Sequence, residues 1–343
     1  MSAPPTIHDA GPPFDAADAD IVLRTSDLVN FRVHTSILSI SSQVFKDMLS
    51  MPLPPDSESA DNGEKKDGLP VITVTESEHS VDLLLRVLYS RLGGRQPLSN
   101  LSDINSLLES LDKYQVDGYP QTLLSALSSA AQTEPVMAYV LARRHNLLHV
   151  ANAAAVEVLK MSLTSVVNGL TTDEHLECIT GGSCVRLLKY HVDCCETAIT
   201  GCKSLKWIAK PDIPGALDAG GRAITLPCSC LSQQFPILKL SYGVYVPRWV
   251  VDYIGRCEAS LRTTPHWDTV TNPKLFIPSA IAAGNCDRCK SYAEGLPEFA
   301  RAFANQLKSV VSKVRLHVRH GLYSAIRRVF IGRQVPPPFE VDE

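Results

Sequence analysis

The stretch DADIVLRTSDLVNFRVHTSILSISSQVFKDML, residues 18–49, decides the fold of the N-terminal part of this chain. Apolar and polar residues alternate on both sides of a central turn, which predicts a β-hairpin with one face directed inward. After His34 the apolar period lengthens, and serines stand where helix N-caps are expected. Ser36 is placed to cap a first short helix, and Ser41 or Ser42 to cap a second. The segment therefore predicts a hairpin that leads directly into two short helices.

The residues that follow predict an α+β domain rather than alternating β and α units. Residues 52–69 combine acids, lysines, prolines and glycines, and are expected to form a flexible loop. Residues 71–74 predict a third strand, and Thr75 with Glu78 predicts a capping box that opens a helix. Further helical periodicity continues to about residue 128.

Bulk composition narrows the class of protein. The chain has 343 residues, 45% of them hydrophobic, and a net charge of -3. These values suit two folded domains and give no general reason to expect nucleic acid as a partner. Residues 1–17 contain no Lys or Arg, lack the features of a signal peptide, and are expected to form a disordered acidic tail. No apolar run reaches the roughly 18 residues of a membrane helix, so we expect no membrane partner and a cytoplasmic or nuclear protein.

The second part of the chain is predicted to be mostly α-helical. Residues 133–205 show helical periodicity that includes a long helix at residues 184–202. Residues 206–332 predict a cysteine-containing region whose helices, at residues 249–261 and 299–330, are separated by long loops. Residues 333–343 are predicted to be a tail.

Residues 18–128 resemble a BTB/POZ domain. The shared pattern is an Asp that opens the first strand, an aromatic-x-x-His sequence, an Ile-Leu pair, and a Ser and a Phe on the second helix. The residues of this chain that carry the pattern are Asp20, Phe31, His34, Ile37, Leu38, Ser41, Ser42 and Phe45. The stretches LLLRVLYSRLGG and INSLLESLDKYQVDGYPQTLLSAL are similar to the later helix of the family and to its closing helix pair. The resemblance implies an α+β fold in which the pattern residues are structural.

The stretch EPVMAYVLARRHNLLHVANAAAVEVL is similar to the start of the BACK-like region that often follows a BTB domain. Residues 133–205 are therefore expected to be BACK-like. The whole layout resembles BTB-domain proteins of mushroom-forming fungi, which also tend to carry paired cysteines late in the chain.

The resemblance implies a non-enzymatic protein–protein interaction module that forms a dimer with its own copy or binds another protein. In many relatives the partner is a cullin, and the BTB protein is a substrate adaptor for a ubiquitin ligase. BTB domains of the transcription-factor type often place Arg or Lys after the histidine, whose charge pairs with the strand Asp. In this chain Thr35 follows His34, which puts in question a dimer of the kind in which a basic residue pairs with the strand Asp. Because a few large apolar residues usually dominate an interface, the predicted contact residues are Phe45, Met48, Leu49, Leu85 and Tyr89.

Two other classes of protein stay open, a zinc- or thiol-dependent enzyme and a transcriptional regulator. We predict no catalytic residue, because the chain lacks a phosphate loop, a dinucleotide fingerprint, a nucleophile elbow and a His-Glu-x-x-His motif. The His34 ring is expected to hydrogen-bond backbone at the strand-to-helix junction, and Asp20 to accept backbone N–H groups. A transcriptional regulator needs a DNA-binding element, and the candidate in this chain is the basic helix after residue 301. The basic side of that helix also suits binding to an acidic partner or simple exposure to solvent.

All ten cysteines lie between Cys178 and Cys289. Four of them are expected to pack as small apolar residues on helix stripes. Those stripes are Cys184, Leu188, Val192, Cys195, Ile199 and Cys202, and then Val250, Ile254, Cys257 and Leu261. His191 and Cys194 form a weaker ligand pair on one helix.

Four other cysteines form two close pairs in predicted loops, namely Cys228, Cys230, Cys286 and Cys289. Two such pairs are able to place four thiolates around a structural Zn²⁺ ion, the one cofactor that the sequence suggests. Metal-free thiols and a redox pair remain the alternatives.

Overall fold

A computed structural model of the chain describes residues 6–50, 64–89, 98, 100–171, 179–203, 207–208, 212–218, 230–235 and 244–316. The chain divides into two compact units, Met1–Ala154 and Ala155–Glu343. Among the helices of the described residues, none has the length and apolar character needed to cross a membrane.

The first unit is built on a five-stranded sheet. Its strands are β1 (His8–Asp9), β2 (Ile21–Arg24), β3 (Val29–Val33), β4 (Lys65–Lys66) and β5 (Leu69–Thr73). They lie in the order β1-β3-β2-β5-β4, in which β2 pairs antiparallel with β3 and parallel with β5. The hairpin predicted from the sequence is thus present, and a third strand lies beside it.

Helices complete the first unit. They are α1 (Thr35–Ser41), α2 (Gln43–Ser50), α3 (Glu78–Leu88), α4 (Leu101–Lys113), α5 (Gln121–Ala130), α6 (Pro135–Arg144) and α7 (Leu148–Val158), the last of which crosses the boundary between the units. That boundary falls inside residues 133–205, and the BACK-like assignment of this region stays a prediction.

The hairpin buries both of its faces, whereas the sequence predicted one. All four residues of β2 and four of the five in β3 are buried. The polar end of β2 tolerates burial because Arg24 donates to the Asn30 side chain at 2.8 Å and pairs with Glu64 at 2.5 Å. Alternation therefore indicated the strands correctly, but it did not reveal that the second face is covered.

Residues 6–17 are packed in the first unit, whereas the sequence predicted a disordered tail over residues 1–17, of which residues 1–5 lie outside the described residues. β1 pairs in parallel with β3, and Asn30 donates to the Asp9 carboxylate at 3.0 Å. Phe14 is buried against Phe31 and Tyr89, with ring centroids 5.7 and 5.6 Å apart. One aromatic side chain and one short strand are enough to hold a segment whose composition alone suggested disorder.

The predicted loop at residues 52–69 is shorter than expected at its C-terminal end. β4 and the start of β5 form a tight antiparallel pair around the turn at Asp67 and Gly68, both of which have positive φ. The rest of the predicted loop, residues 52–63, lies outside the described residues.

Two predicted helix starts are also corrected. His34, not Ser36, is the N-cap residue of α1, and Ser77, not Thr75, caps α3 by accepting a hydrogen bond from the Ser80 N–H. The predicted cap at Ser42 is present, because its side-chain oxygen accepts from the Phe45 N–H at 3.1 Å.

The second unit combines helices with a small sheet. Its helices are α8 (Leu163–Leu170), α9 (Gly181–Cys202), α10 (Arg248–Leu261), α11 (Pro273–Gly284) and α12 (Leu296–Val311), with 3-10 turns at Trp267–Thr271 and Lys290–Gly295. Strands β6 (Leu217–Asp218), β7 (Leu231–Phe235) and β8 (Val244–Pro247) form an antiparallel sheet with β8 in the middle. The regions predicted as loops, 209–248 and 263–297, therefore contain this sheet, α11 and the 3-10 turns.

The last helix is shorter than predicted. α12 ends at Val311, and residues 317–343, which include the predicted tail, lie outside the described residues. Its buried side consists of Phe299, Phe303, Leu307 and neighbouring small residues, and Trp207 stacks on Phe303 at 5.7 Å. The basic residues of this helix and of the residues directly after it, up to residue 316, are exposed; they are Arg301, Lys308, Lys313 and Arg315.

The buried stripe of α9 lies one position away from the predicted one. The stripe that the structure buries is Leu187, His191, Cys194, Ala198 and Cys202. His191 is tolerated there because its Nε2 lies 3.0 Å from the Met161 carbonyl oxygen, to which it donates. The predicted row includes Val192, which is exposed. The stripe of α10, by contrast, is buried as predicted.

Candidate interaction surface and cysteine cluster

The Tyr89 hydroxyl holds His34 at the junction between β3 and α1. The His34 backbone N–H donates to this hydroxyl at 2.7 Å, and the hydroxyl lies 3.1 Å from Nδ1 of the ring. On its other side, the ring places Nε2 3.5 Å from the Asp18 carboxylate. The ring thus contacts a side-chain hydroxyl, where the sequence predicted a hydrogen bond to backbone.

Asp20 binds the first turn of α1. Its carboxylate accepts from the Thr35 N–H at 2.7 Å and from the Thr35 hydroxyl at 2.6 Å. Burial acts to raise the pKa of Asp20, but these hydrogen bonds outweigh it, so the pKa lies below the usual value of 3.8. Asp20 thus accepts a backbone N–H as predicted, and Thr35 supplies uncharged partners where a basic residue was expected in relatives.

The other pattern residues are mostly core. Phe31 and Leu38 are buried, and Ile37 is half-buried. Ser42 is buried and donates to the Tyr114 carbonyl at 2.5 Å, while Phe45 stacks on the Tyr114 ring with centroids 4.5 Å apart.

Three of the five predicted contact residues belong to the core of the first unit. Phe45, Leu85 and Tyr89 are buried, so they are not available to a partner in this conformation. Met48 and Leu49 are half-buried on α2. The predicted contact residues are large apolar residues on helices. Because the same residue types build the core, side-chain size does not distinguish an interface residue from a core residue.

Among the described residues of the first unit, the most exposed large apolar side chain is that of Ile40 on α1, which was not among the predicted contact residues. Its side chain is 87% exposed, and Ile37 stands three residues earlier on the same helix face. α1, with the sequence TSILSIS, carries no charged residue. The position of Leu38 indicates the exposure of Ile40. Because Leu38 is directed inward and Ile40 lies about 200° further around the helix, Ile40 is directed outward.

A sheet edge adds to the exposed features of the first unit. β1 is at one end of the strand order and pairs with β3 alone among the described strands. Ile7, next to β1, is 50% exposed. An edge strand offers unpaired backbone groups to a further strand.

In the second unit, three thiols meet between the small sheet and the turn after α11. The sulfur atoms of Cys230, Cys286 and Cys289 all lie within 4.8 Å of one another. Cys289 is buried, and the other two are half-buried. Three of the four cysteines predicted to form a site are therefore brought together, and Cys228 lies outside the described residues.

The thiols of this cluster differ from those of the helix stripes. Backbone N–H groups of Arg288 and then Cys289 lower the pKa of Cys286 to about 7. Burial raises the pKa of Cys194 and of Cys257 to about 12. The buried stripe cysteines therefore stay protonated and pack as apolar groups, whereas the Cys286 thiol loses its proton more readily.

The weaker predicted ligand pair does not form. His191 directs Nε2 to the Met161 carbonyl, and its Nδ1 lies 3.8 Å from the Cys195 sulfur rather than near Cys194. Burial lowers the pKa of His191 below its usual value.

Residues 14–129 match the family model of the BTB/POZ domain. The N-terminal part of the chain is therefore a BTB/POZ domain of α+β fold, and a helical C-terminal region follows it. The match begins at Phe14, the residue that anchors the N-terminal segment in the core. No curated protein matches the chain. A BTB/POZ domain implies an interaction with proteins, and such domains are in general interaction modules rather than enzymes.

Proposed function

We propose that this protein acts by non-enzymatic protein–protein association and that its BTB/POZ domain forms a dimer through the exposed face of α1. The observation that carries the proposal is the 87% exposure of Ile40 on a helix without charged residues. Burial of an isoleucine that is otherwise in water favours association by about 1.5–3 kcal/mol.

Self-association suits this face for an electrostatic reason. At a two-fold axis each residue meets its own copy or a near neighbour of it. A charged helix would bring like charges together there, whereas α1 contributes only hydroxyl and apolar side chains.

The test is the oligomeric state of the full-length chain, measured by sedimentation velocity over a range of concentrations. Ile40→Asp is expected to weaken dimerisation at least tenfold, because two carboxylates would meet in an apolar contact. Val185→Asp is the matched control, since Val185 is 64% exposed on α9 in the other unit. A monomeric wild-type protein, or an unchanged dimer in Ile40→Asp, would contradict the proposal.

A role as substrate adaptor for a cullin-type ubiquitin ligase is the second form of the proposal. The half-buried Met48 and Leu49 of α2 are the predicted contact residues that remain accessible for it. Affinity purification with mass spectrometry distinguishes the two forms: recovery of a cullin, lost in Met48→Asp, supports the adaptor role. Recovery of a second, differently tagged copy of the chain without a cullin supports self-association.

A further inference from the structure

We propose that Cys230, Cys286 and Cys289 bind a structural Zn²⁺ ion that joins the small sheet of the second unit to the turn between α11 and α12. This inference is independent of the proposed dimer, because all three residues lie in the second unit.

The separation of the thiols suits a tetrahedral thiolate site. Zinc–sulfur bonds of about 2.3 Å place the sulfurs of such a site roughly 3.8 Å apart. The three sulfur atoms lie within 4.8 Å of one another. Shifts of about 1 Å or less, within reach of side-chain rotation, would bring them to bonding positions around one ion.

The backbone holds two of the ligands in a turn that directs N–H groups at sulfur. Cys286 and Cys289 are separated by two residues, and the N–H groups of Arg288 and Cys289 donate to the Cys286 sulfur. The Cys286 carbonyl accepts from the N–H groups of Cys289 and Lys290, at 2.9 and 3.0 Å. Hydrogen bonds to the outer lone pairs of a ligand orient it and stabilise its negative charge.

The third ligand comes from a different part of the unit. Cys230 directly precedes β7, and its carbonyl accepts from the Arg248 N–H at 2.7 Å, which ties it to the start of α10. An ion bound by all three thiols would therefore connect segments that are distant in sequence. Such a connection would stabilise the small sheet.

The chemistry of the donor set favours zinc over the hard cations. The set consists of three sulfur atoms, and soft thiolates select zinc or copper over Mg²⁺ or Ca²⁺. The nearest carboxylate in sequence, Asp287, is 96% exposed and pairs with Lys290, so it is not directed at the cluster. Binding would release the thiol protons to solvent as each sulfur becomes a ligand.

The first measurement is the metal content of the full-length chain, purified without chelators and with a phosphine reductant, loaded with zinc and desalted. Elemental analysis is expected to find about one zinc per chain, as in other closed structural sites. Cobalt in place of zinc is expected to show sulfur-to-cobalt charge-transfer absorption and the visible bands of tetrahedral geometry. Less than about a tenth of an equivalent of zinc, or intact mass showing a disulfide within the cluster after reduction, would overturn the proposal.

Single cysteine substitutions test whether these three residues bind the ion. Cys230→Ser and Cys286→Ser are expected to lose most of the zinc and the cobalt charge-transfer band, while the control Cys184→Ser keeps both. Cys184 is half-buried on α9 and outside the cluster. Retention of a full equivalent by Cys286→Ser would contradict the assignment. If a variant does not fold, the cobalt spectrum of the wild-type chain still decides whether thiolates bind the metal.

Discussion

At the scale of single residues, partners determine what a side chain does. His34 and Tyr89 would suit a catalytic pair on residue type alone. In the structure the Tyr89 hydroxyl is occupied by the His34 N–H and Nδ1. Three groups that satisfy one another at a strand-to-helix junction stabilise backbone geometry, because each buried polar group would otherwise lose its hydrogen bond to water.

Tyr89→Phe is therefore expected to destabilise the first unit by about 1–3 kcal/mol, since it leaves the His34 N–H without its acceptor. Urea unfolding followed by far-UV circular dichroism, with hydrogen exchange of residues 29–41, measures the effect. Tyr292→Phe is the control, because Tyr292 is 48% exposed and water replaces its hydroxyl contacts. Equal, small effects of the two substitutions would show that the Tyr89 hydroxyl has no supporting role.

At the scale of elements, helix starts and helix faces were only partly predictable. The cap at Ser42 follows from its place before an apolar helical repeat, and the structure has it. The sequence predicted Ser36 as the cap of α1. In the structure, the side chain that accepts a hydrogen bond from the first turn is Asp20, which directly precedes β2. A capping group that comes from elsewhere in the chain leaves no local signal.

Ser42→Ala tests the connection between α2 and the end of α4. The substitution removes both the acceptor of the Phe45 N–H and the donor to the buried Tyr114 carbonyl. We expect a loss of about 1–3 kcal/mol in the free energy of unfolding of the first unit.

Ser36→Ala is its matched control, since Ser36 is exposed on α1 and is not the cap. Denaturant titration of both variants gives the comparison. A larger loss in Ser36→Ala than in Ser42→Ala would restore the assignment made from sequence.

At the scale of the whole molecule, the two units are expected to differ in how their stability depends on pH. All three tryptophans, Trp207, Trp249 and Trp267, lie in the second unit, so their fluorescence reports its unfolding separately. The same unit contains His191 and His266, whose pKa values burial lowers. An unfolded chain binds protons at these histidines that the folded unit does not, so stability falls as the pH drops below about 6.5.

His191→Gln is expected to reduce this loss of stability between about pH 7 and pH 5, because the variant has no proton to bind on unfolding. At pH 8 it should cost less than about 1.5 kcal/mol, since the glutamine amide is able to donate to the Met161 carbonyl. Tryptophan fluorescence in urea at several pH values measures both quantities. An unchanged slope with pH would mean that His191 does not contribute; His266→Gln then tests the remaining group.

The sequence by itself determined the hairpin, its turn into helices and the BTB/POZ assignment of the N-terminal part. These features depend on local periodicity and on the spacing of a few residues, which the linear order records. The apolar stripe of α10 belongs with them, because its spacing along the helix alone identified the buried side.

Only the tertiary structure decided which apolar side chains are buried in the core and which remain exposed to solvent. It buried Phe45, Leu85 and Tyr89 in the core, left Ile40 exposed, and ordered the N-terminal segment through Phe14. It also brought Cys230 to Cys286 and Cys289 from a distant part of the chain. The physical reason is common to these cases: burial depends on what the rest of the chain places against a residue, and that contact has no counterpart in the local sequence.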